Sequence, residues 1–392
     1  MRVPTFAFLL IAILVLRAAG AATAPESWRP ALAAIERRVD AEWKKYGVGG
    51  VSIGVVSGDA LIYTHCIGYL DAEKSKPAAP DTIYRLASIT KQFTALALTI
   101  TAREGKLRYS DPLLRYVPEA RMIEGLPDNG ASITLLQLAT HTSGLPRTAA
   151  ARSERRGPLE DWIPAMLAAL PGTRMAHEPG VRFAYSNIGY ALLGAAITRA
   201  AGEPFIDIVE RRILAPLQMH SSGFHLTAQQ RRRLATGFQL RDDGRTTTIP
   251  GVPETDGRYL IPSGSLYSTV EDLARFLSFQ LGYGPEAPLT RREREDHYGR
   301  IYSGRGDLSY GYGLGVSSSA RGGLLIRGHT GLIAGYTSAA FFAPRHGLGV
   351  VVLHNGSGGL RPPLLARGIL ADLAALVEAQ EERAAFRAEG ID

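Results

Sequence analysis

Cysteine is almost absent from this chain of 392 residues: Cys66 stands alone. No internal disulfide can form, so no disulfide framework holds the fold. Cys66 lies in the alternating stretch Leu61 to Leu70 and reads as a buried, inert strand residue. Lysine is scarce. Lys44, Lys45, Lys74, Lys76, Lys91 and Lys106 are all there are, and none follows Lys106. Long apolar runs are missing too. Phe6 to Leu16 is unbroken, but no later segment reaches the about 18 uninterrupted apolar residues of a membrane span, so none is expected in the mature chain. The histidines are scattered, and His177-Glu178 has no second histidine four residues after His177. No metal-ligand spacing is read, and no cofactor is expected. Basic clusters are short: Arg231-Arg232-Arg233 and Arg291-Arg292 carry no interleaved aromatics, which excludes a nucleic-acid partner.

The composition that remains is ordinary for a globular protein, 45% apolar and 21% charged. Arg2, the apolar run and Ala19-Gly20-Ala21 read as an export leader over residues 1–21, so a periplasmic or secreted protein is expected. Losing Arg2 and Arg17 with it lowers the formal charge from +7 to +5.

Ala31 to Tyr46 carries Ile35, Val39 and Trp43 at helical spacing. Val51 to Ser57 and Leu61 to Leu70 read as a hairpin turning at Gly58-Asp59. Ser88 to Arg103 is helical, with Phe93, Leu96, Ala97 and Ile100 on one stripe. The clearest helices of the middle block are Leu159 to Leu170, Asn187 to Ala201 and Phe205 to Leu214, and Ser268 with Glu271 reads as a capping box for another. Leu324 to Arg327, Gly335 to Phe342 and Leu348 to His354 return to strands, before an amphipathic helix over Leu364 to Ala379. The simplest packing joins residues 22–105 and 262–392 into one sheet domain with helices on it, and makes residues 106–261 an inserted helical domain.

Three motifs carry chemistry. Ser88-Ile89-Thr90-Lys91 is the only Ser-x-x-Lys in the chain. Residues three apart on a helix are neighbours, so Lys91 can reach the Ser88 hydroxyl. A serine becomes a useful nucleophile when a base takes its proton, and a lysine is that base when burial or nearby cations depress its pKa. Tyr185-Ser186-Asn187 follows the breaker Glu178-Pro179-Gly180 and enters a helix. A phenol there can relay a proton, and the Asn187 amide can hold a lysine and a substrate carbonyl at once. His329-Thr330-Gly331 follows the strand Leu324 to Arg327; the glycine would let a substrate backbone lie along the strand edge. A competing Gly-x-Ser-x-Gly, Gly50-Val51-Ser52-Ile53-Gly54, lacks the turn and helix of a nucleophile elbow, and Ser52 reads as a strand residue.

Together, in this order and separation, the three motifs resemble the class C β-lactamase and D-alanyl-D-alanine carboxypeptidase family, a β-lactamase-related group of serine hydrolases. Ile133 to Leu145 with its His141-Thr142-Ser143-Gly144-Leu145 loop, Tyr312-Gly313-Leu314-Gly315 and Leu266 to Thr269 are similar to the family as well. The resemblance implies an α+β, β-lactamase/transpeptidase-like fold: an antiparallel sheet flanked by helices, an inserted helical lobe, and a site between them. It implies that Ser88 is the nucleophile and that Lys91 and Tyr185 share general acid and base work. It implies that Asn187, His329, Thr330, Gly331 and Leu332 bind substrate, with the backbone N–H groups of Ser88 and Leu332 as the oxyanion hole.

One position departs from the class C pattern. Lysine is usual where His329 stands. Histidine titrates near 6.5, so His329 is expected to hold an anionic substrate better below that pH than above it. Arg327, two residues back on the same strand face, is a second candidate cation. The expected activity is acyl transfer through Ser88 on D-amino-acyl peptides, esters or related amides. A β-lactamase and a non-catalytic penicillin-binding or sensor protein are the alternatives. The partner is a small-molecule or peptide acyl substrate; no oligomeric state is read from the sequence.

Overall fold

A computed structural model describes residues 24–46, 48–127, 133–151, 157–249, 260–299, 301–303, 309–311, 316–321 and 324–388. The leader and Tyr312 to Gly315 lie outside the described residues.

Among the described residues thirteen strands follow in chain order: β1 (Gly50–Ser57), β2 (Ala60–Gly68), β3 (Tyr84–Arg85), β4 (Gly237–Leu240), β5 (Thr246–Ile249), β6 (Tyr267–Ser268), β7 (Ile301–Ser303), β8 (Ser309–Gly311), β9 (Val316–Arg321), β10 (Leu324–Ile333), β11 (Tyr336–Ala343), β12 (Leu348–His354) and β13 (Gly356–Ser357). Eight form one antiparallel sheet in the order β2-β1-β12-β11-β10-β9-β8-β7. The hairpin β1–β2 therefore pairs with strands nearly three hundred residues away, Val51 opposite His354 and Ser57 opposite Leu348.

Both faces of that sheet are covered, which is why β1, β11 and β12 read as continuous apolar runs. Val350 and Val352 face one way, with helix α1 (Arg29–Tyr46) and the C-terminal helix Pro362–Ala388; Leu32, Ile35 and Val39 form the buried stripe of α1. Val351 and Leu353 face the other way, into a second core built with helix α2 (Thr90–Arg103), the helix Asn187–Ala201 and the helix Val270–Leu281. From residue 82 to 101 every residue is buried except Ser88, which is half-buried. That single opening positions the site.

Four elements differ from the sequence reading. β10 runs unbroken through His329-Thr330-Gly331, so that motif lies inside a ten-residue strand rather than after it. The helix Val270–Leu281 is capped by Thr269, whose hydroxyl accepts from the Asp272 N–H, because Ser268 is committed to β6 and pairs with Tyr84. Leu159–Asp161 is a 3₁₀ turn before the helix Trp162–Ala168. Phe205–Val209 passes into a π turn, Glu210–Leu214. Cys66, in β2, is half-buried, and burial pushes its thiol up. Ser52 has no access to solvent; its hydroxyl bonds the Tyr84 phenol at 2.8 Å and the Ala79 carbonyl at 3.0 Å.

Candidate active site

Ser88 sits in a 3₁₀ turn, Ala87–Ile89, that leads into α2. Ala87 holds a left-handed φ of 49°, uncommon for a residue with a side chain. The surroundings fix it. Leu86 N–H donates to the Leu266 carbonyl at 2.9 Å, the Thr90 hydroxyl donates to the Ala87 carbonyl at 2.7 Å, and the Ser338 hydroxyl donates to the Leu86 carbonyl at 2.9 Å. Strand β10 passes directly over this turn. A side chain at Gly331 would collide with the Leu86 carbonyl oxygen and the Ser338 hydroxyl. Glycine at 331 thus serves the close approach of strand and nucleophile turn. Gly331→Ala is expected to push β10 off the Ser88 turn, with a loss of about 1–3 kcal/mol in urea unfolding and a drop in acylation rate. Unchanged stability and activity would show that the turn yields freely.

The three residues expected to do the chemistry meet at one atom. Lys91 Nζ is 3.2 Å from Ser88 Oγ and donates to the Ser263 carbonyl at 2.7 Å. Tyr185 donates its phenolic proton to Ser88 Oγ at 2.8 Å. Lys91 is wholly buried, and burial first, then the Arg147 charge, push its pKa well below the ordinary lysine range. Burial pushes the Tyr185 phenol up to about 12, against the opposing pull of the Ser88 bond and the Arg147 charge. The resting site therefore holds a lysine that gives up its proton more readily than an ordinary one, and a phenol that keeps its own at neutral pH.

Tyr185 is set by the loop 141–147. His141 accepts the Ala184 N–H on its carbonyl at 2.7 Å and the Ser186 N–H on its Nδ1 at 2.9 Å. Its ring stacks on the Tyr185 ring at 4.4 Å between centroids. One residue thus grips the backbone on both sides of Tyr185 and backs its ring. Further on, the Pro146 carbonyl accepts the Ser186 hydroxyl at 2.7 Å and the Arg147 carbonyl accepts the Asn187 N–H at 2.8 Å. Asn187 is the first residue of its helix, and its buried Oδ1 has no hydrogen-bond partner among the described residues, so its acceptor end stands ready for a donor. The Arg147 guanidinium lies over the Tyr185 ring, 5.0 Å from its centroid. The sequence reading quoted His141 only as part of a resemblance and missed Arg147. A left-handed φ of 57° at a histidine leaves no trace in sequence, and Arg147 is one exposed arginine among many.

His329 lies close by, its ring 6.4 Å from that of Tyr185. It is buried, and its Nδ1 donates to the Thr330 carbonyl. Burial first, then the nearby Lys91, push its pKa down to about 3. The expected titration near 6.5 does not occur in these surroundings. Burial and the Lys91 charge thus favour the neutral imidazole, which offers no positive charge to a substrate. Arg327 does not replace it: its guanidinium lies over the Tyr298 ring at 4.7 Å, and it is half-buried there. Thr330 is half-buried in β10, and Leu332 is 70% exposed. Residues 327–333 pair with β11 only, among the described residues.

Buried neutral histidines have a consequence for stability. His141, His329 and His354 are all held below 6.5 by burial, His354 at about 4. The unfolded chain takes up protons at these side chains below 6.5 while the folded chain does not. Stability is therefore expected to fall as pH drops from 6.5 toward 4, by up to about 1.4 kcal/mol per pH unit for each histidine. Urea unfolding at pH 7 and pH 5 measures this, and His354→Gln is expected to flatten the slope. Equal stability at both pH values would contradict it.

The Beta-lactamase family model matches residues 35–375. The chain belongs to the Beta-lactamase family. Among solved structures, this family member is similar to an octameric penicillin-binding protein homologue from Pyrococcus abyssi, with 28% identity and a TM-score of 0.74 over 88% of this chain and 77% of that one. It also shares the fold of a penicillin binding protein from Bacillus halodurans, with 24% identity and a TM-score of 0.67 over 86% of this chain and 99% of that one. Protein flp of Staphylococcus aureus (strain N315) is 27% identical over 334 residues, 84% of this chain. The chain spans 64% of the length of that relative. The fold is β-lactamase/transpeptidase-like, an antiparallel sheet flanked by helices. No helix among the described residues is long and apolar enough to cross a membrane.

Proposed function

We propose that this Beta-lactamase family member is a serine acyl hydrolase acting through an acyl-Ser88 intermediate on D-amino-acyl peptides, esters or related amides. The observation that supports it is the convergence of Lys91 Nζ and the Tyr185 phenol on one half-buried hydroxyl, Ser88 Oγ, at 3.2 and 2.8 Å.

Neutral Lys91 keeps one N–H on the Ser263 carbonyl and turns its lone pair to Ser88, whose proton it takes as Oγ attacks the acyl carbon. The developing oxyanion is held by the backbone N–H groups of Ser88 and Leu332. Tyr185, a phenol with a raised pKa, supplies the proton that the departing amine or alkoxide needs. Asn187 holds a substrate amide on its unpartnered Oδ1. Lys91 passes the proton it took to the Tyr185 phenolate, which resets both groups; water then attacks the acyl carbon, giving a proton to Lys91, and Ser88 Oγ leaves with a proton from Tyr185.

Burst kinetics with a chromogenic ester and a chromogenic cephalosporin test this reading. Steady turnover of the ester with slow or no cephalosporin turnover is expected. Rapid turnover of the cephalosporin would make the protein a β-lactamase. A stoichiometric burst with no turnover of either would make it a penicillin-binding protein without hydrolase activity. Export is part of the proposal, resting on the leader pattern of residues 1–21. Expressed in a Gram-negative host, the protein is expected in the periplasm with its first residue near Ala22; full-length protein in the cytosol would contradict that.

A further inference from the structure

A cation strengthens the hold on any substrate that carries a carboxylate, and among the described residues of β10 none is free to supply one. His329 is neutral, Arg327 is turned onto Tyr298, and Lys91 is buried and engaged with Ser263 and Ser88. A positive charge does stand beside Tyr185, on Arg147 of the loop 141–147.

We propose that Arg147 binds a carboxylate of the substrate and makes this enzyme selective for anionic acyl compounds. This rests on Ser88 being the nucleophile. The Arg147 guanidinium and Lys91 Nζ approach the same phenol ring, at 5.0 and 4.8 Å from its centroid. Arg147 also acts electrostatically on Lys91, His141 and Tyr185, the groups around the nucleophile. Yet it is exposed, and among the described residues no carboxylate pairs with it. Its backbone is fixed, because its carbonyl accepts the Asn187 N–H at 2.8 Å, so the side chain starts from a held point next to the turn that carries Tyr185. The path from the guanidinium across the Tyr185 ring to Ser88 Oγ is at most about three extended residues long, at roughly 3.5 Å each. A carboxylate one to three residues from the scissile carbonyl is within that reach. Guanidinium pairs with carboxylate through two parallel hydrogen bonds, which an imidazole in its neutral form cannot do.

Two otherwise identical chromogenic esters test it, one carrying a free carboxylate and one the corresponding carboxamide. The quantity read is the ratio of their kcat/KM values, measured on the alkaline plateau of the pH profile. Any effect of Arg147 on Lys91 or Tyr185 applies to both esters and cancels in that ratio. Arg147→Gln is expected to lower the acid-to-amide ratio about 10- to 100-fold, the range for a charge-assisted hydrogen bond. Arg147→Lys, which keeps the charge but not the fork, is expected to fall between. Raising salt should lower the wild-type ratio and leave that of Arg147→Gln nearly flat. A ratio that Arg147→Gln does not change overturns the proposal. Failure of the wild-type protein to acylate Ser88 with either ester would instead overturn the reading beneath it.

Discussion

Lys91→Arg is expected to lose kcat/KM as badly as Lys91→Ala, about 10²–10⁴-fold. Arginine keeps the positive charge but cannot give up its proton near neutral pH, so it cannot take one from Ser88. The native lysine can, because burial and the Arg147 charge depress its pKa. The rising limb of the pH profile should follow Lys91 losing its proton, well below the ordinary lysine value, with activity lost as pH falls through that limb. Arg147→Gln removes one of the two depressing influences and should move the limb toward higher pH. A Lys91→Arg variant with most of its activity would show that charge alone is needed there. Because Lys91 is fully buried and its surroundings leave little room for a guanidinium, Lys91→Met should be measured too. It is expected to fold, to be as inactive as Lys91→Ala, and so to separate loss of the base from loss of packing.

Tyr185→Phe should have the next largest effect, and its size should depend on the leaving group. The substitution removes the hydroxyl 2.8 Å from Ser88 Oγ but keeps the ring against His141, Lys91 and Arg147. Folding stability is expected to change by about 0.5–1.5 kcal/mol, the net worth of one hydrogen bond. An amide or alkyl ester, whose leaving group must be protonated, should lose about 10²–10⁴-fold in kcat/KM. A nitrophenyl ester, which leaves as a stable anion, should lose much less. Equal losses on both would assign Tyr185 to activating Ser88 rather than to the leaving group.

Much of this was legible in the sequence, for physical reasons. Apolar runs mark β1 and β12 because both faces of the sheet are covered, and the stripe Ile35–Val39 marks α1 because only one of its faces is. Ser-x-x-Lys at the start of α2 and Tyr185 at the mouth of a helix stood out by residue type and spacing, and their expected roles came from the family resemblance of the three motifs together. What differs is the end of the strand, expected at Arg327 and found at Ile333. Gly328 and Gly331 lie inside β10, where a side chain at 328 would strike Ala340 and Phe341 and one at 331 would strike Leu86 and Ser338. Both are demands of neighbours far away in the chain, which no local pattern carries. The cap shifted from Ser268 to Thr269 for the same kind of reason, since pairing with Tyr84 claims Ser268. The charge on His329 was misjudged because its pKa depends on burial beside Lys91, a tertiary fact. His141 and Arg147 matter through the loop they share with Ala184, Ser186 and Asn187, and that contact spans some forty residues.

The most direct measurement is the site of covalent labelling. The protein is incubated with a fluorophosphonate and, separately, with a fluorescent penicillin, then digested and its peptides mapped by mass spectrometry. Label on the peptide holding Ser88, lost in Ser88→Ala and slowed in Lys91→Arg, is the expected result. Label on Ser52, or labelling that persists in Ser88→Ala, would contradict it.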